Sequence, residues 1–151
     1  PPYTIGITKD KKNIYTLRTE IRLHELEEGD SMKKLFHGYE NHGFRIILEG
    51  KSIVYSGDTK IVPNGLLLAK GADLLIHECS NIVSSKKDLW GHTDPIQTAQ
   101  FAKDANVKQL VMTHFGASLY DTLEKRKEAE KKARKIFSNT IAATDGLTMN
   151  I

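Results

Sequence analysis

A single cysteine, Cys79, stands in 151 residues, so no internal disulfide can form. That usage fits a reducing, cytoplasmic setting. Long hydrophobic runs are also missing, and none could cross a bilayer as a helix, so no membrane partner is expected. Pro1-Pro2-Tyr3-Thr4 has neither the basic region nor the apolar core of a signal peptide. Charge of one sign is scarce: a net +3 is too mild to argue nucleic-acid binding by itself. Repeats, low-complexity tracts and linkers are absent, and the length suits one domain with a real core. An opening on Pro-Pro without an initiator Met leads us to expect a piece of something longer.

What is present is a run of short apolar segments separated by helical ones. YTIGI, a polar turn from Lys9 to Asn13, and IYTLRTEIRLHEL read as strands. FRIILEG and SIVYS read as a hairpin turning at Glu49-Gly50-Lys51. Pro63 to Lys70 predicts a short helix ended by Gly71, and ADLLIHE a buried strand. Asp94-Pro95-Ile96-Gln97 opens a helix to about Asp104 with a capping box and a first-turn proline. VKQLVMTH is another buried strand. A charged helix is expected from Leu119 to Phe137, with Leu123, Ala129, Ala133 and Ile136 on its apolar face. Strands at about Thr140 to Ala143 and Leu147 to Ile151 close the chain. Strands alternating with helices predict a layered α/β domain.

Three strands end on polar groups: SIVYS reaches Asp58, LLIH reaches His77-Glu78, and QLVMT reaches His114. Sites in α/β sheets collect at strand C-terminal ends. Zinc takes histidine nitrogen and carboxylate oxygen, and a carboxylate can serve two metals. Each residue also has a plainer role, Asp58 as a turn former and His77 as a satisfied core histidine. His24 and His42 read as structural. Spacing alone names no reaction.

YSGDT, DLLIHECS, GHTDPIQTAQFAKDANVKQLVMTHF and the closing ATDG together resemble the C-terminal half of metallo-β-lactamase-fold hydrolases, in particular the ribonuclease Z-like branch. The resemblance runs from roughly residue 20 to the end. It implies half of a four-layer αββα fold, with residues 1–151 as the C-terminal portion of a single domain. It also implies a binuclear zinc site, with manganese or iron as alternatives, that hydrolyses a phosphodiester or similar ester. By that resemblance Asp58 bridges the metals and His114 binds one of them. His37, followed by Gly43-Phe44-Arg45, binds the other. HECS and GHT stand where the branch has HEAT and GHST, which assigns Glu78 and His92 to proton handling. A histidine held by a carboxylate stays poised near neutral pH and can protonate a leaving oxygen.

The chain departs from the family in two places. The signature HxHxDH is absent, since no two histidines here stand two apart. In the family it lies in an N-terminal half, which is therefore the expected partner, with a homodimer as another cover. In addition, only FRIILEGKSIVYSG separates Gly43 from Asp58, where ribonuclease Z enzymes often insert an arm that grips tRNA. A compact hydrolase of a small-molecule or RNA phosphodiester is thus expected ahead of a tRNA 3′-processing endonuclease. The charged helix offers Lys and Arg to phosphates but reads better as a solvated face. A third reading is an inactive fragment or an interaction module completed by another chain. The stretch from Gly29 to His37 looks short for the full strand usual there.

Overall fold

The computed structural model describes residues 6–9, 15–18, 31–36, 40–83 and 91–151. Its main layer is a six-stranded sheet whose strands lie side by side in chain order. β4 (Glu40–Leu48) and β5 (Lys51–Tyr55) form the expected hairpin. Their two-residue turn puts Glu49 and Gly50 at φ 50 and 76, the left-handed pair that matches strand twist. β5, β6 (Leu74–Glu78), β7 (Gln109–Thr113) and β8 (Thr140–Ala142) then run parallel. Parallel neighbours need crossovers, and three helices supply them: α1 (Pro63–Ala69), α2 (Pro95–Asp104) and α3 (Leu123–Arg134).

The strand that seemed squeezed out before His37 is present. β3 (Ser31–Phe36) pairs with β4 from Ser31↔Arg45 to Phe36↔Glu40. It also draws the start of β4 back to Glu40, ahead of the apolar run FRIIL. Met32, Leu35 and Phe36 in SMKKLF do not alternate as a strand pattern would; Leu35 is buried while Lys33 is exposed. The pairing partner, not local pattern, makes this strand.

Each face of the sheet has its own core. Val54, Leu75, Leu110 and Met112 pack under Leu68 of α1, Phe101 of α2 and Ala129 of α3. Ile53, Leu74, Ile76 and Val111 point the other way, toward Leu147, Met149 and Ile151. Met149 belongs to β9 (Thr148–Met149), which joins β1 (Gly6–Lys9) and β2 (Tyr15–Arg18) in a separate sheet of order β1-β2-β9. A helical layer, a large sheet and the start of a second sheet give the α/β half of the four-layer fold. β6 is buried along its whole length, as a strand covered on both faces must be.

The helices begin where their caps place them. Asp94 accepts from the amides of Ile96 and Gln97, and the Gln97 side chain accepts from the Asp94 amide, completing the box. α3 starts at Leu123 and not at Leu119, because the Thr122 hydroxyl accepts from the Lys125 amide while the Leu119 and Tyr120 amides turn back to the Gly116 carbonyl. Leu123 is 52% exposed, so the buried stripe of α3 is Ala129 and Ala133. At the end of α1 the Arg45 guanidinium donates to the carbonyls of Leu68 and Lys70, both at 2.9 Å. Among the described residues no helix is long and apolar enough to cross a membrane.

Candidate metal and catalytic site

β5, β6 and β7 are adjacent and parallel, so their C-terminal ends open on one edge. Beyond β5 the chain turns through Ser56-Gly57-Asp58. Gly57 has φ 60, and a Cβ there would sit 2.7 Å from Asn41 Oδ1 and 3.0 Å from the His42 carbonyl. Only glycine fits this turn. Asn41 Nδ2 donates to the Asp58 carbonyl at 2.6 Å and pins it. The result is a carboxylate fixed at its root and 36% exposed at its tip.

His114 follows β7 directly and takes φ 50, a strained value for a residue with a Cβ. Its Nδ1 lies 3.3 Å from Asp58 Oδ1. Glu78, at the end of β6, lies between these two in strand order and is 1% exposed. The amide of Ser80 donates to its Oε2 and that of Thr93 to its Oε1, each at 2.8 Å. The Thr93 hydroxyl donates back to the Glu78 carbonyl at 2.7 Å. Burial pushes the Glu78 carboxyl up to about 8, against the downward pull of the Ser80 and Thr93 amides. His92, next to Thr93, places Nδ1 3.4 Å from Glu78 Oε1. The rings of His92 and His114 are 5.5 Å apart.

His77 takes no part. One residue before Glu78, it points to the opposite face, where its ring lies 5.1 Å from that of Phe101. Its Nδ1 donates to the Glu78 carbonyl at 2.8 Å, and burial pulls the imidazole down to about 4. It is a neutral core histidine. His42 lies in β4 opposite Lys34. His37 and His24 fall outside the described residues.

A second tier of contacts braces the loops behind the site, and sequence reasoning named none of it. Gly116 approaches Ser80 so closely that a Cβ would meet the Ser80 carbonyl oxygen at 2.5 Å. The Tyr120 hydroxyl donates to the Asn81 carbonyl at 2.7 Å, tying the loop after His114 to the loop after Glu78. The Asn81 amide in turn donates to the Thr93 carbonyl. Gly116 inside HFG was the one legible signal, since glycine often marks a close approach of backbones.

The donor set fits a metal. The two N···O separations, 3.3 and 3.4 Å, lie beyond the usual hydrogen-bond mode. They equal the edge of a tetrahedral shell with zinc–ligand bonds of about 2.0–2.1 Å, an edge of about 3.3–3.4 Å. Imidazole and carboxylate are donors that zinc accepts.

Residues 10–115 match the family described as Beta-lactamase superfamily domain. Ribonuclease BN of Proteus mirabilis is 37% identical over 106 residues, covering 69% of this chain and 34% of that protein. Ribonuclease Z of Ligilactobacillus salivarius is 39% identical over 106 residues, covering 68% and 32%. Among solved structures, the short form of human tRNase Z superposes with a TM-score of 0.64 at 26% identity, over 96% of this chain and 50% of that one. The chain therefore spans about a third of the length of these two curated relatives and half of the solved structure.

Proposed function

The chain is a ribonuclease Z-like member of the beta-lactamase superfamily domain family, and on that premise we propose that it is the C-terminal portion of one metal-dependent hydrolase domain acting on a phosphodiester or similar ester. The observation that carries this reading is the pairing at the sheet edge. A ligand pair, Asp58 and His114, stands beside a proton-handling pair, Glu78 and His92. Asp58 would be shared by two zinc ions, with His114 on one and His37 on the other; manganese or iron would suit the same donors. Such ions, when bound, activate water and neutralise charge on the substrate.

The chain's own groups do the rest. Glu78 is held by two amides, so a proton on His92 Nδ1 would face a carboxylate that does not itself move. His92, 16% exposed, can reach a leaving oxygen and give it a proton. The remaining metal ligands would come from a preceding half of the same domain, with a second copy as the alternative cover. Reduced, buried Cys79 suits a cytoplasmic location.

A tRNA 3′-processing endonuclease is the second reading, supported by the names of the relatives. The tight turn at Glu49-Gly50 weighs against it, because β4 and β5 leave no space for an arm between Gly43 and Asp58. The test is hydrolysis of bis(p-nitrophenyl) phosphate and of a precursor tRNA by the complete domain. Activity should vanish with chelation and in Asp58→Asn. Turnover that survives Asp58→Asn rejects Asp58 as the shared ligand, turnover that survives chelation rejects the metal-dependent reading, and failure of the parent on both substrates leaves the interaction module.

A further inference from the structure

Glu78, His92 and His114 each offer a donor atom, and these atoms all lie within 4.8 Å of one another. We infer that these three residues form a mononuclear divalent-cation site of zinc type, separate from the arrangement in which Asp58 is shared between two ions. Ligand number decides between the two positions. Among the described residues, Asp58 and His114 give an ion two protein ligands, whereas Glu78, His92 and His114 give it three, the count found in open zinc sites. The first ion to reach this chain therefore goes to the three.

The site is built on anchored backbone. Glu78 ends a fully buried strand, and His114 is held at φ 50 directly after its neighbour. His92 sits between Gly91, at φ 85, and Thr93, whose amide and hydroxyl both bond Glu78. One edge, His92 to Glu78 at 3.4 Å, already has tetrahedral length. Closing the longest separation needs a movement on the order of 1 Å, which rotation of an imidazole ring supplies. His114 belongs to both arrangements, so they exclude each other. An ion on the three must leave, or shift toward Asp58, before a two-metal centre forms. While it stays, His92 and Glu78 cannot handle protons.

The inference does not require the hydrolytic reading, and its test uses no turnover. The 151-residue chain is titrated with cobalt(II), whose visible absorption reports tetrahedral coordination, and the bound cobalt is then displaced with zinc. The expected result is one ion per chain. Losing a group that merely orients a ligand costs about 10–100-fold in metal affinity, so His92→Ala and His114→Ala should each weaken binding on the order of tenfold or more. Asp58→Asn should weaken it less than His92→Ala does. His92→Gln, which keeps side-chain volume, should weaken it as His92→Ala does, and far-ultraviolet circular dichroism checks that each variant is folded. Unchanged affinity in both His92 variants overturns the inference, as does the absence of any binding by the parent chain. Loss in Asp58→Asn with His92→Ala unaffected would place the ion at the shared-aspartate position, sinking this site and leaving the proposed hydrolase intact.

Discussion

Replacing Gly116 by alanine is expected to cost stability and to disturb the site together. Alanine would put a Cβ 2.5 Å from the Ser80 carbonyl oxygen, with Ser80 Oγ at 3.2 Å and the carbonyl carbon at 3.5 Å. The first of these contacts is with backbone and cannot be relieved by a rotamer change. Overpacking of this kind costs about 1–3 kcal/mol. The lost freedom of the unfolded chain offsets about 0.4–1 kcal/mol of it. A contact this short with backbone belongs at the upper end of the overpacking range, about 2–3 kcal/mol, so the net expectation is a loss of about 1–2.6 kcal/mol, read as a lower urea midpoint at unchanged slope. Because the Ser80 amide donates to Glu78, the displacement passes to the carboxylate that faces His92. Gly65→Ala is the control with the opposite sign. Gly65 lies in α1 and its nearest neighbour, Phe101 Cζ, is an ordinary 3.4 Å away, so the substitution should gain about 0.5–1 kcal/mol. If Gly116→Ala is as stable as the parent, the loops after β6 and β7 do not meet as described.

Asp94→Ala removes both side-chain contacts to the first turn of α2 and should cost about 1 kcal/mol in the same urea assay; no change would mean the box adds nothing. His77 should make the fold acid-sensitive. Its folded value of about 4 lies below the ordinary 6.5, so its contribution is intact above pH 6.5 and lost as pH falls toward 4, by about 3 kcal/mol in full. Glu78 runs the other way, since its raised value favours the fold below 4.5 and loses that effect as pH rises toward 8. Urea unfolding of the parent and His77→Gln between pH 4 and 7 separates the two; matching pH profiles would refute the His77 account. In the complete two-metal domain, His92→Ala should lower turnover by about 10²–10⁴-fold with both ions retained, and joint loss of metal and activity would make His92 a ligand there.

The fold was legible where burial acts along the chain. LLIHE announced a strand covered on both faces, and Asp94-Pro95-Ile96-Gln97 announced a helix start, because both signals are local. β3 was not, since SMKKLF becomes a strand only through its partner β4. The helix expected from Leu119 starts at Leu123 instead, because Gly116 turns the segment from Leu119 and Thr122 caps the helix itself. Asp58, Glu78 and His114 could be singled out because all three stand at the C-terminal ends of parallel strands. His92 needed the family resemblance, as nothing in GHTDP shows that Thr93 will fold back on Glu78. Asn41, Gly116 and Tyr120 support the site across long sequence separations, which no local pattern carries.

Zinc counted by equilibrium dialysis, for the 151-residue chain alone and for the chain joined to a preceding half bearing HxHxDH, tests the account at its centre. The account predicts one ion and no phosphodiester turnover for the chain alone. It predicts two ions, with turnover, for the joined form. Two tightly held ions on the chain alone, or no gain on joining, would contradict it.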